Sequence, residues 1–162
     1  MFVLGHLGVG RAIIGPLRRA LPFVPFAAGA LLPDVIDKSL YYAHLSSYVS
    51  CTRTFAHTGL FLGVAALTAW GVRSRIWTAL AVGIATHLLL DGLMDLFSRE
   101  PSSAFIALTW PFLHDRFASY DFASPLDQLG QIWRPRIMLA EAVGLAWLAR
   151  EYSTSRRSRA GS

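Results

Sequence analysis

Between positions 76 and 97 the chain reads IWTALAVGIATHLLLDGLMDLF, an apolar run of helical length whose second half carries His87, Asp91 and Asp95. Residues four apart share one face of an α-helix, so these polar groups form a single stripe on an otherwise greasy surface. Residues 54–72 are a second such run, nineteen long with one histidine, His57, and the loop Arg73-Ser74-Arg75 joins the two. Residues 1–17 open the chain as an apolar segment holding His6 and Arg11, and end at Arg18-Arg19, a pair that Pro16 and Pro22 bracket as a turn. A further apolar run, 20–32, is expected to kink or break near Pro22 and Pro25. It stops at LLPDVID, 31–37, where Pro33 fits the first turn of a new helix and Asp34 and Asp37 would sit at its positive end.

The remaining stretches lack a clean period. Residues 41–53 are polar and aromatic, a connection suited to an interface. Residues 98–136 hold Pro101, Pro111, Pro125 and Pro135 among scattered aromatics, and read as an extended cap rather than a span. Residues 137–150 predict a last helix with Glu141 inside it, and the Ser/Arg-rich segment 153–162 should be disordered. The expectation is thus an all-α fold in one domain, 1–152, followed by a basic tail.

Composition moves this reading toward a bilayer. The 162 residues are 54% hydrophobic and 15% charged, against roughly 25% charged for an average soluble domain. No run is an uncharged twenty-mer, and 20–33 and 137–149 are short enough for buried core helices. The expected architecture is a polytopic membrane bundle of about four or five hydrophobic segments, arranged as two helical hairpins plus a C-terminal helix; a compact soluble all-α domain is the rival. The net charge of +5 comes from arginine knots between apolar runs and from Arg156, Arg157 and Arg159 in the tail. Without a basic stripe interleaved with aromatics, nucleic acid is not an expected partner. Such knots read better as topology signals. Cys51 stands alone, which excludes a disulfide framework and a cysteine-based zinc motif. The N-terminus lacks a basic n-region and a small-residue cleavage site, so it is expected to be retained.

Counting along the hairpins brings the polar groups together. His57 and Asp91 each lie seventeen residues from Ser74, so two antiparallel helices set them level, with His87 one turn below, about 6 Å by helical rise. His6 and Asp34 each lie fourteen residues from Ala20 and also end level. Both turns carry paired arginines, and both polar ends lie opposite them. Positive charge marks the cytoplasmic side of short loops, which would put Arg18, Arg19, Arg73, Arg75 and the tail inside and the histidines and aspartates toward the outer face. Arg134 and Arg136, on the outer segment, argue the other way.

Histidine and aspartate are ordinary zinc ligands, and mixed N/O sets also suit manganese or iron. The alternative for any one of them is a hydrogen-bonded buried network. Ionisable groups in a membrane segment cost about 2.5 kcal/mol or more each on insertion scales for Asp, and a metal would compensate several at one point. With an open coordination position it would also activate water for hydrolysis of an ester or phosphoester.

Five short motifs in order, GHL at 5–7, LLPDVID at 31–37, RTFAHT at 53–58, ATHLLLD at 85–91 and LTWPF at 108–112, resemble the YdjM-like family of inner-membrane metal-dependent hydrolases, and more distantly the helical zinc-dependent phospholipase C and single-strand nuclease group. The resemblance implies a metal-binding set of His6, Asp34, His57, His87 and Asp91, with Asp37 as an additional ligand. It implies that Arg53 sits by the site, where its planar fork suits an anionic substrate, and that Trp110 and Pro111 form a loop near it. Asp34 or Asp91 would serve as ligand or general base. Where the family often continues with a histidine this chain has Lys38, which weakens the case for a second metal, and the family's His-Ser is His57-Thr58 here. Asp95 and Glu100 read as helix-end acids, and His44 and His114 as late ligands at most.

The resulting expectation is a multi-pass inner-membrane hydrolase dependent on a divalent metal, zinc first, acting on a small-molecule or lipid substrate from the periplasmic side, with a cytoplasmic C-terminus. Its rivals are a non-catalytic membrane protein clipped by a structural metal or polar network, and an ion- or proton-translocating protein.

Overall fold

The structure, a computed structural model, describes residues 2–43, 51–96, 103–119 and 124–160, and every regular element among them is helical. In chain order these are α1 (Val3–Ile13), α2 (Phe23–Tyr42), α3 (Gly59–Val72), α4 (Arg75–Leu96), α5 (Ser103–Thr109), α6 (Pro125–Gly130) and α7 (Pro135–Ala160), with 3₁₀ turns at Gly15–Arg19, Phe55–His57 and Gln131–Trp133.

The two hairpins fold as counted. The first reverses through the 3₁₀ turn Gly15–Arg19, the second at Arg73 and Ser74, where Arg73 ends α3 in the left-handed region at φ 51°. The hairpins lie side by side so that α2 and α4 run parallel. Their contacts advance in the same sense along both chains, from Gly29 against the Leu80 backbone, through Ala30 against Gly83 and His87, to Asp34 beside His87. Glycine permits this approach, since a Cβ on Gly83 would collide with the Phe26 carbonyl and the Ala30 nitrogen. The same device joins α1 to α7, where Gly8 and Gly144 meet backbone to backbone. At the start of α1, where no side chain of its own caps the helix, Glu141 of α7 accepts from the Phe2 and Leu4 N–H groups at 2.8 and 2.9 Å.

Three local expectations are corrected. Pro33 does not start a helix: α2 runs through it from Phe23 to Tyr42, with Pro22 as its N-cap and Pro25 in its first turn, where a missing N–H costs nothing. Asp34 and Asp37 are therefore mid-helix, away from the dipole's positive end. The run 54–72 divides into the turn Phe55–His57 and α3, with Thr58 as N-cap, its Oγ1 accepting from the Phe61 N–H at 3.0 Å. Lastly, α7 continues to Ala160, so residues 153–160 are helical where disorder was expected. Arg156 lies over the Tyr152 ring one turn earlier, and Ser153, Thr154 and Ser155 bond back to carbonyls of the preceding turn.

Only α4, at 22 residues, is long and apolar enough among the described residues to cross a membrane. At 1.5 Å per residue the shorter apolar helices α1 and α3 reach about 17 and 21 Å, against about 30 Å of hydrocarbon. The polytopic bundle is thus borne out only as an all-helical fold with one clear candidate span. Its buried core is small, with Ile14, Leu21, Phe26, Ala30 and Ala79 packed where α1, α2 and α4 meet. Meanwhile Leu60, Val64, Leu67 and Trp70 face outward from α3, of which only Ala69 is buried.

Candidate metal centre

The polar ends of four segments converge opposite the arginine turns. α1 contributes His6, α2 Asp34 and Asp37, the turn Phe55–His57 its histidine, and α4 His87 and Asp91. All but Asp34 are essentially sealed from solvent.

Hydrogen bonds on the far side of two rings fix what they offer the centre. His87 Nδ1 lies 2.7 Å from the Ala30 carbonyl, which can only accept, so that nitrogen carries the proton. His57 Nδ1 lies 2.7 Å from Asp37 Oδ2. The same carboxylate accepts from the Thr54 N–H at 2.6 Å and the Ala56 N–H at 3.0 Å, and with two donors already converging on it, it accepts from the His57 Nδ1–H as well. Both imidazoles therefore turn a bare Nε2 lone pair inward, and the two nitrogens stand 3.1 Å apart. Two lone pairs facing each other in a buried site repel unless a positive centre, a shared proton or a metal ion, lies between them.

The surrounding atoms favour more than a proton. Asp91 Oδ2 lies 3.6 Å from His57 Nε2 and 3.7 Å from His87 Nε2, and Asp34 Oδ1 lies 3.8 and 4.0 Å from the same two nitrogens. Ligands held about 2.0–2.2 Å from a tetrahedral zinc are about 3.3–3.6 Å from one another, so these spacings are those of a slightly open donor set. His6 stacks on His87 with ring centroids 4.0 Å apart, and its Nε2 is 3.5 Å from Asp91 Oδ1. Neither His6 ring nitrogen has a hydrogen-bond partner among the described residues, although the side chain is buried. A buried imidazole left this way is costly in a purely structural network, whereas a ligand nitrogen awaiting a cation is accounted for. Two overlapping triads, His6-Asp34-His87 and His57-His87-Asp91, each have ligand atoms within 4.8 Å of one another.

His6, Asp34, Asp37, Arg53, His57, His87 and Asp91 all reach this region, in differing roles. Asp37, expected as a further ligand, has both oxygens engaged by the 53–57 segment and orients His57 instead. Arg53 binds acids: its Nε lies 2.9 Å from Asp91 Oδ2 and its Nη1 2.9 Å from Asp95 Oδ1 and 3.0 Å from Ser103 Oγ. Asp95, read as a helix-end acid, also accepts from the Ala104 N–H at 3.0 Å and so ties α5 to α4. Lys38 bonds Asp34 Oδ2 at 2.7 Å, leaving Oδ1 for the centre. Trp110 packs edge-on to Phe55 and near Phe117, beside the turn that presents His57. His114 lies edge-on to Phe105 and is in neither ligand-atom group, while His44 and Glu100 lie outside the described residues. Sequence reasoning missed Glu141 as the cap that anchors α1, and with it His6. An acid inside an apolar helix was the available signal.

The YdjM inner membrane protein family matches residues 1–156 of the chain. Neither a curated protein nor a solved structure matches it, so the distant likeness to zinc-dependent phospholipase C rests on the motifs alone.

Proposed function

Since the chain belongs to the YdjM inner membrane protein family, we propose that it is a multi-pass membrane hydrolase that uses a divalent metal, zinc being the best fit, to cleave an ester or phosphoester. The observation that carries the reading is the pair of facing Nε2 atoms of His57 and His87, 3.1 Å apart, with Asp34, Asp91 and His6 around them, the last without a ring hydrogen bond among the described residues. These five side chains would hold the ion. When bound, such an ion polarises an ester or phosphoryl oxygen and brings the pKa of a water toward ~7.

The chain's own groups divide the remaining work. Asp37 and the Ala30 carbonyl hold the two imidazoles in the Nδ1–H tautomer. Asp34, whose side chain is 19% exposed, is the one acid of the set open to solvent, and it is the group suited to exchange a proton with an incoming water. Lys38 keeps its carboxylate oriented. Arg53, 18% exposed, positions Asp91 and offers the rim a permanent positive charge for an anionic group on the substrate. The outward apolar faces of α3 and α7 support a membrane setting, and the arginine turns at the opposite end support a periplasmic site with a cytoplasmic C-terminus. Lipid esters are the substrates such a location favours.

The test is hydrolysis by the detergent-solubilised full chain of a phosphomonoester, a phosphodiester and a carboxylic ester, each as its p-nitrophenyl derivative, with and without added zinc. Turnover that His87→Ala and His57→Ala abolish supports the proposal, and no turnover of any substrate by metal-loaded protein counts against it. One observation favours a second reading: Arg53 and Lys38 already pair with Asp91 and Asp34, as expected of a structural clip. Chelation would then unfold the protein rather than silence a folded one. Ion translocation fits less well, because the polar groups gather at one end instead of forming a file along the helices; flux into liposomes would be its sign.

A further inference from the structure

Toward the arginine end of the bundle, α1, the start of α2 and the second half of α7 enclose a cleft of about 480 Å³ lined by Arg11, Phe23, Leu148, Glu151, Tyr152 and Arg156, among others. Arg11 is 4% exposed and lies against the rings of Phe23 and Phe26, each centred 5.5 Å from its guanidinium carbon. Its Nη2 donates to Glu151 at 2.5 Å and to the Arg18 carbonyl at 3.1 Å, yet its Nη1 has no hydrogen-bond partner among the described residues. Glu151 balances one of the two arginines, so the lining keeps a surplus positive charge and an unsatisfied buried donor. Above it the surface turns apolar, with Leu17, Phe23 and Val24 at 59%, 43% and 75% exposure, and Arg18 and Arg150 flank it over the Trp147 ring.

A pocket with a cationic floor and an apolar lip, between helices of a membrane protein, suits an amphiphile with an anionic head. We infer that this cleft binds an anionic phospholipid from the surrounding leaflet, its phosphate toward Arg11 and Arg156 and an acyl chain along Phe23 and Leu148. The inference needs only the membrane setting and is independent of the hydrolase reading. The lipid would act as a staple, since α1 and α7 both contribute to the cleft, and α1 also carries His6.

The experiment is thermal unfolding of the full chain in detergent, titrated separately with dioctanoyl phosphatidylglycerol, dioctanoyl phosphatidylcholine and inorganic phosphate. Phosphatidylglycerol should raise the melting temperature saturably while the other two do little. Arg156→Gln, a change at an exposed residue that leaves the fold intact, should weaken that effect by about tenfold, the worth of one charge-assisted contact. Equal stabilisation by phosphatidylcholine would mean a non-selective apolar groove. Stabilisation by phosphate alone would mean a free-anion site. Either result, or a phosphatidylglycerol effect untouched by Arg156→Gln, or no effect from any of the three, overturns the inference.

Discussion

Replacing Asp37 by Asn tests how the centre is built, because it changes one atom and leaves the volume alone. Asp37 Oδ2 receives the Thr54 N–H at 2.6 Å and the His57 Nδ1–H at 2.7 Å, and Oδ1 receives the Ala56 N–H at 3.0 Å. The asparagine does best with its carbonyl at the Oδ2 position, so its amide nitrogen must face the Ala56 N–H, donor against donor. One bond is lost and the other two lose their charge assistance. Hydrogen bonds to charged groups are worth about 1.5–3 kcal/mol against about 1 for neutral ones, so losing one and weakening two should cost the folded state about 2.5–7 kcal/mol. The imidazole it orients also becomes a poorer donor, and removing such an outer partner weakens metal binding by about 10–100-fold. Thr58→Ala is the control, since it removes the α3 cap at a cost of about 1 kcal/mol but leaves the His57 bond in place. Zinc affinity measured by chelator competition should fall for Asp37→Asn and hold for Thr58→Ala. A folded Asp37→Asn protein with wild-type affinity would refute the orienting role.

Three further outcomes follow from the same geometry. Gly83→Val should push α2 from α4, because its Cβ would overlap the Phe26 carbonyl; overpacking of this kind costs about 1–3 kcal/mol or more, and metal content should fall with it. Glu141→Ala should remove the cap on α1, lowering stability by about 1–2 kcal/mol as cap deletions do, with a smaller loss of metal affinity through His6. Bound metal should be released progressively as the pH is lowered, because protons compete for the ligand atoms; equilibrium dialysis at stepped pH reads this, and occupancy that rises on acidification would contradict it.

Much of the centre was legible in the sequence because helical rise is regular. Equal counts from Ser74 and Ala20 set His57 level with Asp91 and His6 level with Asp34, and the observed ligand-atom groupings bring all four to one region. What the counts could not supply was the course of the chain around prolines. A proline at position 33 is compatible with a helix start or with a kinked interior, and only packing against α4, through Gly29 and Gly83, decides for the interior. The role of Asp37 was hidden for a related reason: a carboxylate beside a histidine ligand is chemically fit to bind metal or to orient the ring, and the difference lies in the Thr54 and Ala56 backbone donors, which no side-chain pattern records. Arg11 was visible as a charge in an apolar run, but its partner Glu151 is 140 residues away and on a helix longer than periodicity suggested.

The central claim is that two inward-facing imidazoles and their neighbouring carboxylates hold a metal ion. Elemental analysis of detergent-purified protein tests it most directly, with wild type run beside His57→Ala and His87→Ala. The account predicts about one or two transition-metal ions per wild-type chain and markedly fewer in each variant. Equal, near-zero occupancy in all three would contradict it.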